Sequence, residues 1–166
     1  YDSGTRIPLI VKIPGQTPAV DAQLVSSVDF GPTVLNLAGV NVPDYMQGRA
    51  FLGETPGTPP QYVFGARDRM DERYDIIRAV RGPRFRYIRN FEPLKPYYQY
   101  MNTPEKGATM REIRKAEEAG ELSDVGKLFS ASQKPVEEFY DLEADPHEVN
   151  NLAGDPQYAK KIEEMR

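Results

Sequence analysis

Arginine dominates the segment from Val63 to Asn90, which contains eight arginines and no lysine. A guanidinium group presents a planar set of N–H donors that matches a carboxylate, phosphate or sulfate, and an ammonium group cannot do this. Only four acidic residues lie in the same segment, so it is net positive. The pattern predicts either a site for an anionic ligand or arginines that pair with neighbouring acids on a strand face.

The densest part of this segment runs from Arg67 to Arg73. We predict that it is a loop at the end of a strand, where specificity residues are often found. In a binding site, Arg67 or Arg69 would hold an anionic group, and Asp68 or Asp71 would accept hydrogen bonds from hydroxyl groups. The alternative is a turn whose alternating charges neutralise one another and bind nothing.

The sequence offers few residues for cysteine or histidine chemistry. The chain contains no cysteine, so disulfides and thiolate metal sites are excluded. Its one histidine, His147, is too little for a histidine-rich metal site or a Ser-His-Asp triad. No run approaches the roughly 20 apolar residues that a membrane span needs. We therefore expect no membrane span, and we also expect no nucleic-acid partner.

The first elements of the chain favour an α/β arrangement. Leu9 to Ile13 is an almost continuous apolar run bounded by prolines, which is typical of a strand buried on both faces. An amphipathic helix is predicted from Phe30 to Ala38, with Ser27 or Asp29 as its cap and Gly39 at its end. A buried strand followed by a capped helix is typical of the end of an α/β layer.

The second half favours a small antiparallel sheet with helices. Three strand-like runs are followed by a fourth, and a hairpin turn is predicted from Arg81 to Arg84. The four runs are Gln61–Ala66, Tyr74–Val80, Phe85–Arg89 and Glu138–Leu142. Helices are predicted from Thr109 to Glu121, from Val125 to Phe129, and after Asp155 or Pro156.

The predicted fold class is therefore α/β, with an α+β C-terminal part. Residues 1–50 would be the end of a larger α/β domain, residues 51–60 a linker rich in proline and glycine, and residues 61–166 a subdomain built from the small sheet and its helices. The chain begins without methionine and ends inside a helical pattern, so we expect it to be a fragment. Its apolar strand would then expose surface around Leu9 to Ile13 unless a partner covers it.

Three segments, in the expected order, resemble the sulfatase family of the alkaline-phosphatase-like superfamily. Tyr1 to Val11 matches an acidic-x-Gly-x-Arg-x-Pro stretch through Asp2, Gly4, Arg6 and Pro8. The second segment is Ser27 to Val40 with Gln47-Gly48-Arg49, and the third is Glu138 to Ala153. The segment Arg67–Arg73, together with Ile88-Arg89-Asn90-Phe91, most resembles the sulfatases grouped with N-sulfoglucosamine sulfohydrolase.

The resemblance implies a sulfuric ester or sulfamate hydrolase that acts on a sulfated sugar such as a glycosaminoglycan. Sulfatases use a formylglycine, made within a Cys/Ser-x-Pro-x-Arg motif, beside a calcium ion. That motif is absent here, so no catalytic residue and no metal ligand is expected in these residues. The expected partner is an N-terminal catalytic part of the same protein. A periplasmic or secreted location would be usual for such a protein, although nothing in these residues specifies it.

The resemblance also places Gly4 and Arg6 next to the active site, because the active-site lysine of the family is expected shortly before Tyr1. We predict that Gly4 supplies a backbone conformation that other residues avoid. Arg6 would brace active-site loops through charged hydrogen bonds, in preference to touching the substrate. Two other functions remain open: a related phosphoesterase or phosphonate hydrolase, and a stand-alone module that binds anionic glycans.

Overall fold

The computed structural model describes all residues from Tyr1 to Arg166. The four strands are β1 (Val63–Met70), β2 (Arg73–Arg81), β3 (Phe85–Asn90) and β4 (Glu137–Asp141). The α-helices are α1 (Asp2–Thr5), α2 (Phe30–Leu37), α3 (Asn102–Glu105), α4 (Ala108–Ala119), α5 (Asp124–Phe129) and α6 (Ala159–Met165). None of these helices is long and apolar enough to cross a membrane.

The strands form one antiparallel sheet in the order β1-β2-β3-β4. The predicted turn from Arg81 to Arg84 joins β2 to β3, and the Gly82 N–H donates to the Phe85 carbonyl oxygen at 2.9 Å. All four predicted strands are therefore confirmed, with ends that differ by a few residues. The sheet and the helices around it also confirm the predicted α+β character of this part.

The two faces of the sheet differ because successive side chains of a strand point to opposite sides. One face packs against α6, where Tyr87 and Phe139 form a buried core with Ile162 and Met165. Burial of each such side chain stabilises the fold by about 1.5–3 kcal/mol. We call the opposite side the polar face. By strand register it contains Arg67, Asp75, Arg81, Arg86, Asn90, Glu138 and Tyr140.

The outer edge of β4 is covered by the segment that follows it. The side chain of Asn151 accepts a hydrogen bond from the Phe139 N–H at 2.9 Å and donates to the Glu137 carbonyl oxygen at 3.0 Å. The Leu152 N–H adds a bond to the Phe139 carbonyl oxygen at 2.8 Å. This pairing satisfies backbone groups that an edge strand otherwise leaves open to association with another chain.

Residues before the sheet form a compact unit around α2. Buried Asp29 accepts hydrogen bonds from the backbone N–H groups of Ser26 and Arg49, each at 2.9 Å. Gly48 lies so close to this point that a Cβ atom would come within 2.0 Å of the Val28 carbonyl oxygen. Gly39, at φ +69°, follows the end of the helix as predicted. The Gln47-Gly48-Arg49 motif therefore packs directly on the helix start.

The buried strand predicted at Leu9–Ile13 does not form within these residues. The segment is irregular, and 92% of the Ile10 side chain is exposed. Leu9 and Val11 are also exposed, as expected for apolar residues without a partner. A strand needs a neighbouring strand for its backbone hydrogen bonds, and the four-stranded sheet of these residues does not include this segment.

A 46-residue excursion joins β3 to β4 and contains α3, α4 and α5. Helix α4 ends at Gly120, which adopts the left-handed conformation at φ 71°. The Lys134 N–H donates to the Pro93 carbonyl oxygen at 2.8 Å. This hydrogen bond joins the two ends of the excursion next to the sheet. The helices predicted in this region are confirmed, and α3 is an additional short helix.

Candidate functional site

The segment from Arg67 to Arg73 is the end of β1, a tight turn and the start of β2, and not the loop that was predicted. The register between the two strands shifts at Asp68, and Asp71 adopts a left-handed conformation at φ 46° in the turn. The prediction failed because both faces of this hairpin end are exposed. Charged residues can then occupy successive positions of a strand without apolar alternation.

Several charges in this hairpin already have partners. Arg78 Nη1 lies 2.8 Å from Asp68 Oδ1, and both side chains are largely exposed. Arg69 Nε donates to the Asp71 carbonyl oxygen at 2.6 Å. Exposed pairs of this kind contribute about 0–1 kcal/mol. The Arg78–Asp68 pair fits the alternative of a self-neutralising turn for Asp68, whereas Arg69 bonds a backbone oxygen and the Asp71 carboxylate takes part in neither contact.

Arg67 is different from its neighbours. It lies on the polar face opposite Ile77 of β2, and it is half-buried. Its Nε atom is buried and has no hydrogen-bond partner. A buried donor without an acceptor costs about 1–3 kcal/mol, more when the group is charged. Arg67 is therefore the arginine of this cluster that is best placed to gain from an anionic ligand.

The structure brings neither Gly4 nor Arg6 to this hairpin. Gly4 lies in α1 without a positive φ, and a Cβ atom there would meet nothing within 4 Å. The prediction that Gly4 supplies a conformation barred to other residues is therefore wrong. Arg6 follows the last residue of α1 and is exposed. Its proposed bracing of active-site loops stays a prediction.

A set of charges fastens α1 to the polar face, and we call it the clamp: Asp2, Arg81, Arg86 and Glu148. Arg86 and Glu148 are buried, and Asp2 and Arg81 are partly buried. Arg86 Nη2 bonds Asp2, and its Nη1 lies 3.1 Å from Glu148 Oε1. Arg81 Nη2 lies 3.0 Å from Asp2 Oδ2. Burial alone would raise the pKa of Asp2, but the hydrogen bond from Arg81 and the charge of Arg86 outweigh it, so this pKa lies below its usual value.

A second layer lies beside the clamp and centres on the fully buried carboxylate of Glu138. The hydroxyl groups of Tyr1 and Tyr140 each donate to Glu138 Oε2 at 2.6 Å. Asn90 Nδ2 donates to Oε1 at 2.5 Å. Burial, followed by the Glu138 charge, raises the pKa of both tyrosines, so their hydroxyls stay protonated and act as donors. These hydrogen bonds satisfy a carboxylate that has no cation partner among its contacts.

The third buried group on the polar face is the ion pair of Asp75 and Lys134. Lys134 Nζ donates to Asp75 Oδ2 at 2.6 Å, and neither side chain is exposed. The other carboxylate oxygen, Oδ1, is buried without a partner. A buried pair of this type is held by mutual attraction in a medium of low dielectric constant. It links β2 to the end of the excursion.

Sequence reasoning did not single out these buried residues. The two-residue alternation along the strands was a usable signal for Asp75, Arg86 and Glu138. It places each of them on the same side of the sheet as the other polar-face residues. The partners of Arg86, Asp2 and Glu148, are 84 and 62 residues away along the chain, and Lys134, the partner of Asp75, is 59 residues away. Tyr1, which donates to Glu138, is 137 residues away. Without the fold, nothing in the sequence identifies these pairs.

The described residues do not fit the calcium ion or the formylglycine that the family resemblance implies. No group of three or more His, Asp or Glu side chains converges as a metal site would require. The chain has no cysteine and no Ser-x-Pro-x-Arg motif that could be converted. His147 is exposed in the turn after β4.

The family model described as N-sulphoglucosamine sulphohydrolase, C-terminal, matches residues 1–63. The matched region includes α1, the exposed apolar segment and the unit around α2. It contains the first two of the three segments in which the sequence resembles the sulfatase family.

The chain is also similar to curated and solved sulfatases. It is 41% identical to an ulvan-active sulfatase of Formosa agariphila over 100% of this chain and 28% of that protein. It is 26% identical to human N-sulphoglucosamine sulphohydrolase over 100% of this chain and 36% of that protein. A solved structure of a 2-O GAG sulfatase matches with a TM-score of 0.51 and 27% identity, covering 82% of this chain and 22% of that chain. The chain thus spans about a quarter to a third of the two curated relatives.

Proposed function

Because the chain belongs to the sulfatase family, we propose that the whole protein hydrolyses sulfate esters or sulfamates of a sulfated sugar. The observation that supports this most directly is the 41% identity to an ulvan-active sulfatase along the entire chain. We propose that these residues complete the fold and form one wall of the substrate pocket. The formylglycine and calcium of the family would then lie in polypeptide outside them, since the residues present fit neither.

The exposed apolar surface before the sheet supports this division of roles. The side chains of Ile7, Ile10 and Val34 are 72%, 92% and 65% exposed. Large apolar residues with this much exposure are typical of a surface that another part of a protein covers. We propose that the rest of the sulfatase polypeptide covers this one, with residues 1–50 as the end of its α/β domain and residues 51–60 as the linker to the sheet.

The function is tested with the full-length protein on ulvan. We expect release of inorganic sulfate, measured by ion chromatography, and no release of phosphate from phosphate monoesters. Phosphate release without sulfate release would instead support a phosphoesterase of the same superfamily. Salt-dependent binding of the polysaccharide without any release would support a glycan-binding module. Either result would contradict the proposal.

Within the pocket wall, we propose that Arg67 binds an anionic group of the substrate. Its buried and unpaired Nε, on the polar face, would gain an acceptor when a sulfate or carboxylate approaches. Asp68 and Asp71 remain candidates for accepting hydrogen bonds from sugar hydroxyls. Arg69 is the weaker candidate for the anion, because its Nε already donates to the Asp71 carbonyl oxygen.

Arg67→Ala in the full-length protein is expected to raise KM for the sulfated substrate by about 10- to 100-fold. The estimate is the loss of one hydrogen bond to a charged group, about 1.5–3 kcal/mol. Steady-state kinetics of sulfate release measure it. Arg69→Ala is the matched control in the same strand, and its KM should change less than about 2-fold. Equal effects of the two substitutions would contradict the assignment of Arg67.

A further inference from the structure

The clamp joins the hairpin of β2 and β3, which contains Arg81 and Arg86, to two parts of the chain that lie far from it in the sequence. Arg86 comes from β3, Asp2 from α1, and Glu148 from the turn after β4. Arg86 Nη2 also donates to Thr5 Oγ1 at 2.7 Å, so both ends of α1 are bound to one guanidinium. The Arg86 side chain is only 3% exposed, which shields these contacts from salt.

The backbone of Glu148 shows that this geometry is tightly determined. Glu148 adopts a left-handed conformation at φ 55°, which a residue with a side chain rarely occupies. Such conformations persist only when the surrounding structure fixes them. In this conformation the carboxylate meets the Arg86 guanidinium and also accepts the backbone N–H of Asp2. The position of Asp2 is thus set by a backbone contact as well as by charge.

Tyr1 is held independently, one residue before the clamp. Its hydroxyl donates to the buried carboxylate of Glu138, and its ring packs edge-on against Tyr140 with centroids 6.0 Å apart. A position and a direction are therefore fixed for the first two residues of the chain. In the whole protein as proposed above, polypeptide before Tyr1 would therefore reach the sheet at this point and in this direction.

We infer that Arg86 is a positioning residue for the reaction of the whole protein. It fixes how the polypeptide that precedes Tyr1 meets the polar face, and hence how groups of that polypeptide are placed relative to Arg67. This rests on the proposed function, in which the reactive groups lie outside these residues. A misplacement of about 1 Å can lower a reaction rate by about 100-fold. With only 3% of its side chain exposed, Arg86 would act through Asp2, Thr5 and Glu148 and not through contact with the substrate.

The test uses Arg86→Lys in the full-length protein with ulvan as the substrate. Lysine keeps the charge but cannot bond Asp2, Thr5 and Glu148 with one planar group. We expect kcat for sulfate release to fall by about 10- to 100-fold while KM changes less than about 3-fold. In Arg86→Ala, guanidinium added to the buffer should restore part of the lost kcat, which a general loss of stability would not allow.

A matched control and a milder variant make the outcome decisive. Arg89→Ala removes another arginine of β3 that points to the opposite face and pairs with Glu137, and its kcat should stay within about 2-fold of wild type. Tyr1→Phe removes a single hydroxyl and should lower kcat by about 3- to 10-fold. Should Arg86→Lys fail to fold, Thr5→Val decides in its place: it removes the acceptor of the Arg86 Nη2 bond to the end of α1, and kcat should fall by about 3- to 10-fold. An unchanged kcat in every folded variant, with wild type active, overturns the inference, whereas an inactive wild type contradicts the proposed function instead.

Discussion

Lys134→Ala is expected to lower the free energy of unfolding of the protein by about 3–5 kcal/mol. Both partners of the Asp75–Lys134 pair are fully buried, and their charged atoms lie 2.6 Å apart. Removing the ammonium group leaves the Asp75 carboxylate in a place that water does not reach. Its Oδ1 atom has no partner even in the intact structure, so no second donor stands ready to compensate.

Urea or thermal unfolding of the full-length protein measures the effect. Lys127→Ala is the control, since Lys127 forms an exposed pair with Asp124 in α5 and should contribute less than about 1 kcal/mol. Replacing both members of the buried pair, as Asp75→Leu with Lys134→Met, should recover most of the loss. A cost below about 1 kcal/mol for Lys134→Ala alone would show that the pair is not buried in solution.

The consequence of this pair is structural as well as energetic. It lies where the excursion with α3, α4 and α5 rejoins the sheet, beside the bond from the Lys134 N–H to the Pro93 carbonyl oxygen at 2.8 Å. Asn90 Nδ2 donates to the Pro135 carbonyl oxygen at 2.8 Å in the same place. Loss of Lys134 should therefore disorder the start of β4 first, and the apolar core around Phe139 only under more strongly denaturing conditions.

Local signals in the sequence predicted most of the sheet and the helices. The turn from Arg81 to Arg84 was recognisable because glycine and proline follow a strand-like run and precede another. The helix ends were recognisable because a glycine, Gly39 or Gly120, follows each helical pattern. Both glycines adopt the positive φ that commonly ends a helix. Such features depend on a few neighbouring residues, and they form wherever the rest of the fold permits.

The segment Leu9–Ile13 shows why a correct local signal can still give the wrong element. Its apolar residues favour a buried strand, but a strand forms only where another strand supplies the hydrogen bonds. No such neighbour occurs among the described residues, and Ile10 is left almost fully exposed. The opposite error occurred at Arg67–Arg73, where a strand was missed because charges occupy successive exposed positions.

The candidate site was predictable only in part. Arg67 was identified from its type and its neighbours, whereas the clamp depends on contacts between distant segments. Glu137 and Glu138 illustrate the difficulty, since they are adjacent and chemically alike. Glu137 is partly exposed and bonds Arg166 and Tyr87, whereas Glu138 is fully buried and bonds Tyr1. Only the strand register distinguishes these two carboxylates.

The second large effect concerns activity. The chain of residues 1–166 by itself is expected to release no sulfate, because it contains no convertible Cys/Ser-x-Pro-x-Arg motif and no converging metal ligands. Enzymes accelerate their reactions by at least about 10⁶-fold, and the groups that do so are proposed to lie elsewhere in the protein. The isolated chain should therefore be at least about 10⁶-fold slower than the full-length protein.

Sulfate release from ulvan by the isolated chain and by the full-length protein, at equal molar concentration, shows whether the reactive centre lies outside these residues. Circular dichroism of the isolated chain first establishes that its sheet is formed, so that unfolding cannot explain inactivity. We expect sulfate from the full-length protein and none above background from the folded chain. Turnover by the isolated chain at a rate comparable to that of the full-length protein would contradict the account, because the reactive centre would then lie within these residues.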